Sequence, residues 1–288
     1  MTIMPGFLKH SLILPVLAAV AFMLAGESQP AQAQVDRGFS RVIRVYATGE
    51  ERNRQPNLWV LEVHLKQMRM RWVDVTVDSE TGETQRELVW YLVFKAINRT
   101  IDTGEDTQDT VPVNQFDPVP QPPKFIPKFT LTTYANPADE IPDGEYTDVP
   151  LPEAVAEINR VESHRPNDPV LADTVTLIRD LPEPVDEESD DGEWMYGVAT
   201  WRNVDPDTDF FKVTMAGFSN GYVVIEDDDG NTTTWRKVLV QRFTRQGDRY
   251  DPTQVEFRFD GRADWIYQPE EGDASATEAA PVEEPSET

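Results

Sequence analysis

Alternation of hydrophobic and polar residues with a period of two dominates the chain from Val42 onward. Residues 58–65 and 70–77 each place apolar side chains on one face, as a half-buried strand does. Residues 88–98 are apolar on both faces, which is typical of a central strand that is covered twice. Further strands are predicted at residues 194–202, 210–215, 222–225, 233–243 and 255–259. The pattern predicts a mainly β protein with antiparallel, sandwich-like strands.

One helix interrupts this pattern. Pro152 and Glu153 suit a first helical turn, an apolar stripe follows, and Pro166 ends the segment. The ten prolines between residues 111 and 152 predict a mostly extended loop, within which residues 129–134 form a short strand. A short helix is therefore expected between two strand-rich regions.

The two strand-rich regions have a similar outline, with a strand, a connector, a strand, an acidic turn and a long strand. This outline fits either a duplicated sandwich-like unit or an ordinary antiparallel meander. The predicted organisation is a signal peptide (1–33), an N-terminal β-rich region with a proline-rich loop (35–150), a helical connector (151–185), an acidic linker (186–193), a C-terminal β-rich region (194–268) and a disordered acidic tail (269–288).

The N-terminus has the features of an export signal. Lys9 and His10 precede an apolar run over residues 12–25, and Ala31-Gln32-Ala33 supplies a cleavage site. A membrane-spanning helix needs about 20 apolar residues, so this run favours a cleavable signal peptide over an N-terminal anchor. The expected location is periplasmic or extracellular, with no transmembrane segment after cleavage. Because the chain has no cysteine, disulfides, thiolate metal sites and cysteine nucleophiles are excluded.

The net charge of −26 makes nucleic acid an unfavourable partner, since phosphate binding needs an excess of lysine and arginine. The segment 186–193 and the tail after Gln268 hold six and seven of the acids, respectively. These 13 negative charges equal half of the net charge of −26 and are expected in solvated segments, where they favour solubility.

A G-x-S-x-G pattern at residues 217–221 matches the nucleophile elbow of serine hydrolases. An elbow needs a helix after the serine and, in this chain order, a histidine downstream. Here a strand follows Ser219, and the histidines after residue 33, His64 and His164, both lie upstream. A hairpin turn is the better interpretation, and no catalytic residue is predicted.

Three carboxylates at alternate positions, Asp205, Asp207 and Asp209, form a Ca²⁺ candidate because hard cations prefer oxygen ligands. Phe210 and Ala216 stand where an EF-hand loop needs glycine and glutamate, so an Asp-Pro turn with solvated acids is the simpler interpretation. No other cofactor is predicted. His64 lacks the spacing of a zinc site and is expected to be a half-exposed surface residue.

Trp194, Tyr196 and Trp201 are candidates for a platform on which sugar rings stack. The alternative is that these aromatic side chains fill a β core. The basic residues of the C-terminal region are expected to pair with carboxylates of the same chain; they are Arg236, Lys237, Arg242, Arg245 and Arg249.

Several stretches resemble exported bacterial proteins of unknown function, of the kind found in planctomycete-type genomes. The residues that carry the resemblance are 88–93 with Asn98, 196–201, 204–206 with Asp209 and Phe210, and 245–248. The resemblance implies an exported β-rich protein and supplies no activity, cofactor or catalytic residue.

These observations predict an exported, non-enzymatic structural or interaction protein whose partner is an envelope protein or a glycan. The first alternative is a carbohydrate-binding module that uses exposed aromatic side chains. The second is a carboxylate-based hydrolase, since two suitably spaced acids suffice for glycoside hydrolysis.

Overall fold

The computed structural model describes residues 38–78, 80–101, 123–136, 138, 141–163, 166–187, 189, 191–226, 230–245, 247 and 255–269. The predicted signal peptide and the acidic tail from Glu270 lie outside these residues, as do His164 and Arg249. Predictions about those parts of the chain stay predictions.

The described residues form strands β1 to β14 and helices α1 and α2. In chain order they are β1 Arg41–Ile43, α1 Gly49–Arg54, β2 Leu61–Leu65, β3 Arg69–Asp78, β4 Glu83–Asn98, β5 Lys124–Phe125, β6 Lys128–Tyr134, β7 Gly144–Thr147, α2 Pro152–Glu162, β8 Ala172–Asp173, β9 Arg179–Asp180, β10 Met195–Trp201, β11 Phe210–Ala216, β12 Tyr222–Glu226, β13 Thr232–Thr244 and β14 Arg258–Pro269. The mainly β, antiparallel, sandwich-like prediction is confirmed.

The first sheet is built around β4. One edge of β4 pairs with β2 and then with β3, and its other edge pairs with β10, all antiparallel. β1 pairs with β2, and β8 pairs parallel with β10. The strand that is apolar on both faces is therefore central.

The second sheet is built around β13 in the same way. One edge of β13 pairs with β11 and β12, and its other edge pairs with β14. β6 lies next to β11, and β7 lies next to β6. β5 and β9 form a separate two-stranded sheet.

The outline that occurs twice in the sequence corresponds to β2–β3–β4 in the first sheet and β11–β12–β13 in the second. In each case two shorter strands pair, one after the other, with the same edge of one long strand. The two regions do not form separate sandwiches, because β10 joins the first sheet and β6 and β7 join the second. All described residues belong to one compact unit.

The two sheets pack face to face through aromatic side chains. Trp90 of β4 contacts Phe211 of β11 at 5.3 Å between ring centroids, and Phe94 contacts Phe129 of β6 at 4.8 Å. All four side chains are buried in one continuous core. Burial of such a side chain contributes about 2–3 kcal/mol, so these rings are a main source of cohesion between the sheets.

Helix α2 covers the outer face of the first sheet. Val89 and Val93 of β4 pack with Ala154 and Ile158 of the helix in a second apolar cluster. The helix begins at Pro152, as predicted. The prediction that both faces of β4 are covered is thus confirmed, and the sheet face outside the sandwich is not a solvent face.

Several elements differ from the sequence prediction. The short strands β1, β5, β8 and β9 are not among the predicted strands, and β4 begins at Glu83, five residues before the predicted start. Helix α1 was missed although Thr48 and Glu51 form a capping box, which is a recognisable start signal. Strand β7 was missed within the proline-rich region. Strand β14 extends to Pro269, beyond the predicted residues 255–259, because Phe259, Ala263 and Trp265 pack against the core on one face.

Candidate functional site

A groove with a volume of about 380 Å³ lies on the outer face of the second sheet. Its floor is formed by outward-facing side chains of β6, β11 and β13, and we call it the threonine groove. The floor residues are Thr130, Thr132, Thr214, Ala216 and Val238. The volume lies within the range of about 300–1,000 Å³ that is usual for small-molecule sites.

The groove is hollow because short side chains stand side by side on neighbouring strands. Thr130 pairs in register with Thr214, and Ala216 pairs with Lys128. Thr132 is only 4% exposed and Val238 only 5%, although both lie on the outer face of the sheet. The neighbours of these two residues along their strands point into the core. Because side chains on a strand alternate between faces, Thr132 and Val238 point outward.

Three cations surround this floor, namely Lys128, Lys212 and Arg236. Aromatic rings position two of them. Lys212 Nζ lies 5.5 Å from the ring centroid of Tyr134, and the guanidinium of Arg236 lies 5.9 Å from that of Tyr222. The partly exposed hydroxyls of Thr130 and Thr214, with the cationic border, provide hydrogen-bond donors and positive charge for a polar anionic ligand.

A second polar cluster lies on the outer face of the first sheet. His64 Nε2 is 2.6 Å from Glu62 Oε1, and Arg99 Nε is 3.5 Å from Glu62 Oε2. Burial opposes ionisation of Glu62, but the hydrogen bond and charge of His64 and the charges of Arg99 and Arg44 outweigh it, so the pKa of Glu62 is lowered.

This cluster is a packed ion network with little access for a substrate. The His64 side chain is only 12% exposed, and the ring of Trp194 packs edge-on at 4.9 Å. Lys95 Nζ lies 4.2 Å from the Trp194 ring centroid. The expectation that His64 is a half-exposed surface residue is wrong, because this end of the sheet face is covered.

The predicted sugar-stacking platform does not exist as a unit. Trp201 is fully buried in the core and packs against Phe129 at 6.3 Å. Tyr196 is partly buried beside Phe39, on the opposite face of the sheet, together with Trp194. Residues 194 and 196 share a parity that residue 201 lacks, so the period of two already separates them.

The predicted Ca²⁺ site is also not formed. Asp205 Oδ1 accepts the Asp207 amide hydrogen at 2.9 Å, and Asp209 Oδ1 lies 3.4 Å from Arg245 Nε. In the part of the chain that the structure describes, no three His, Asp or Glu side chains gather as metal ligands. Asp205 and Asp207 are exposed residues of a turn, as in the simpler interpretation.

Ser219 has a structural position in a turn. Its Oγ accepts the Gly221 amide hydrogen at 2.9 Å and donates to the Trp59 carbonyl at 3.0 Å. Strand β12 follows directly, as expected from the sequence. The motif therefore links the two sheets.

The basic residues of the C-terminal region divide into two groups. Lys237 Nζ donates to Glu51 Oε1 at 2.6 Å, and Arg245 is buried beside Asp209, so pairing with the chain's own carboxylates is confirmed for these two. Arg236 and Arg242 lie on the exposed outer face of the second sheet.

The threonine groove is not among the sites predicted from the sequence, although the chain carries a signal for it. Lys128, Thr130 and Thr132 occupy alternate positions, as do Lys212 and Thr214. Such alternation predicts a polar face on each strand. Only the sheet topology shows that β6 and β11 are neighbours and that their polar faces merge.

None of the described helices is both long and apolar enough to cross a membrane. Comparison with family models, curated proteins and solved structures finds no match to this chain.

Proposed function

We propose that this protein is an exported, non-catalytic binding protein and that the threonine groove binds an acidic glycan. The observation that carries the proposal is the groove itself, in which three cations surround a floor of threonine side chains in a chain of net charge −26. Against these three cations the described lining holds one carboxylate, that of Glu145, and an anionic ligand suits this balance of charge.

The position of the groove favours a glycan over a peptide. Extended peptides usually bind by pairing with the edge of a sheet, where backbone groups are available. The face of a sheet offers only side chains, because its backbone groups are used in the ladders. Threonine hydroxyls and the amide of Gln268 suit the hydroxyl groups of sugars, and the cations suit carboxylates that are spaced along a glycan.

The lining of the groove supports binding rather than hydrolysis. Among the described residues that line it, Glu145 alone carries a carboxylate. Glycoside hydrolysis normally needs two carboxyl groups that flank the scissile bond. Distant acids of the chain repel the ligand only weakly, since the Debye length is about 8 Å at physiological salt.

A binding experiment with matched charge variants tests the proposal. The probe is a hyaluronan oligosaccharide, in which a uronate alternates with a neutral sugar, and the neutral control is a chitin oligosaccharide of the same length. Isothermal titration should detect the acidic ligand alone. Replacement of Lys212 and Arg236 by glutamine should weaken binding by at least about tenfold, because each hydrogen bond to a charged group contributes about 1.5–3 kcal/mol.

The control variant is Arg86→Gln, which removes one exposed cation from the other sheet. This variant should bind the acidic oligosaccharide with unchanged affinity. Equal affinity of the Lys212/Arg236 variant and the unaltered protein would contradict the proposal, as would equal binding of the neutral oligosaccharide.

A further inference from the structure

The threonine groove lies where the acidic C-terminal segment leaves the fold. Gln268 and Pro269 are the last residues of β14, and both line the groove. Gln268 pairs in register with Arg236, one of the three cations. The chain from Glu270 to Thr288 therefore starts at the border of the groove.

The charges of this segment complement those of the groove. Residues 270–288 contain seven acids and no lysine or arginine, and three of the acids come within four residues of Pro269; these three are Glu270, Glu271 and Asp273. The groove presents Lys128, Lys212 and Arg236. A tethered anion competes at a high effective concentration, in the millimolar range for short flexible linkers.

The distances permit this contact. Pro269 pairs with Trp235, and Lys128 lies three strands away on β6 and about three residues farther along, which corresponds to about 17 Å between Cα atoms at ordinary strand spacing. Four extended residues reach about 13 Å and the whole segment about 60 Å. The first acids therefore reach Arg236, which is one strand away, and the later acids, from Glu278 onward, reach Lys128 and Lys212.

We propose that the acidic segment 270–288 occupies the threonine groove and competes with the external ligand. The competition rests on the proposed function, whereas occupancy of the groove by the segment does not. A segment that fills the groove nine-tenths of the time lowers the apparent affinity for an external ligand tenfold. The protein then binds its ligand only where the ligand is abundant or where salt weakens the internal contact.

Zero-length carbodiimide cross-linking of the full chain tests the occupancy directly, because the reagent joins a carboxylate to a lysine only when the two are in contact. Peptide mass spectrometry should find links from acids of residues 270–288 to Lys128 or Lys212. Lys124 is the internal control, since it is exposed but lies in the separate two-stranded sheet. Links to Lys124 at equal yield, or the lack of links to Lys128 and Lys212, would overturn the inference.

A full-length variant with the seven acids replaced by glutamine or asparagine tests the competition. Its affinity for the hyaluronan oligosaccharide at low salt should be about tenfold higher than that of the unaltered protein. Unchanged affinity would overturn the competition. Cross-links to Lys128 or Lys212 without any glycan binding by the variant would contradict the proposed function and leave the occupancy supported, so the two failures are distinguishable.

Discussion

At the scale of single residues, Gly217 shows how one backbone position permits close packing at the core. Its φ of +80° lies in the left-handed region, and a Cβ atom there would lie 2.0 Å from the carbonyl oxygen of Ile126. The next residue, Phe218, is fully buried against Phe94 and Phe129. The glycine therefore permits a close backbone approach that brings a core side chain into place.

Replacement of Gly217 by alanine should destabilise the protein by more than about 3 kcal/mol. The left-handed conformation alone costs about 1–2 kcal/mol in a residue with a Cβ atom, and the clash with backbone adds to it. Gly82→Ala is the matched control, because Gly82 has a φ of +70° with nothing within 4 Å of its Cβ position. Urea unfolding should show a loss of only about 1–2 kcal/mol for this control. Equal losses for the two variants would contradict the role of the close approach.

The residue scale also shows the limit of motif analysis. The sequence predicts a hairpin turn at residues 217–221 and no nucleophilic role for Ser219. The structure has a turn there. The sequence does not show that Ser219 bridges to Val60, a contact between residues far apart in the chain. Local sequence patterns predict turns, whereas the residue that pairs with a turn from a distant part of the chain is set by tertiary packing.

At the scale of elements, helix α2 is held on the first sheet by a buried ion network. Glu162 Oε2 accepts Lys66 Nζ at 2.8 Å, and Oε1 accepts Arg69 at 2.7 Å and the Tyr91 hydroxyl at 3.0 Å. Burial opposes ionisation of Glu162, but Lys66, Arg69 and Tyr91 outweigh it, and the pKa of Glu162 is lowered. The network links the end of the helix to β3 and β4.

Replacement of Glu162 by glutamine should cost about 3 kcal/mol near neutral pH, because it leaves the buried Lys66 cation without its carboxylate. Glu157→Gln on the same helix is the control and should cost much less, since its partners Arg71 and Arg160 are more exposed. Chemical denaturation of both variants at about pH 7 measures the difference. Similar losses for the two variants would show that burial of the network is unimportant.

The same network predicts a pH dependence of stability. Because the pKa of Glu162 is lowered on folding, its contribution is fully present above the ordinary glutamate value of 4.5. The contribution is lost as the pH falls through the lowered pKa of the folded state. The stability difference between the unaltered protein and Glu162→Gln should therefore become smaller at about pH 3 than at about pH 7.

Most of the strands could be predicted because their periodicity is local. The predicted strands at residues 70–77, 210–215 and 233–243 match β3, β11 and β13 closely. Strand β7, with the sequence Gly144-Glu145-Tyr146-Thr147, has too few apolar residues to give a signal and forms because β6 offers it an edge. Prediction fails where a strand depends on its neighbour more than on its own residues.

At the scale of the whole molecule, the two sheets draw on both halves of the chain. β4 pairs with β10, and β6 pairs with β11. Each pairing joins the predicted N-terminal region to the predicted C-terminal region. Long-range contacts of this kind make the sandwich a single cooperative unit.

Fragments that follow the predicted regions should therefore not fold alone. Residues 35–150 and residues 194–268, expressed separately, should show no cooperative thermal or urea transition, because each lacks strands that its sheets need. The chain from residue 35 to residue 288 is the control and should unfold in one transition. A cooperative transition in either fragment would contradict the interleaved topology as the basis of stability.

The sequence by itself determined the class of this protein. Strand periodicity, the proline at the start of α2 and the acidic composition are local or global properties of the chain, and they predict an antiparallel β sandwich without cysteine chemistry. Only the tertiary structure decided which faces are covered and which residues meet. It placed Trp201 in the core, paired Asp209 with Arg245, and brought Lys128, Lys212 and Arg236 around one floor. The physical reason is that binding sites are formed by the pairing of distant strands, and no local pattern specifies that pairing.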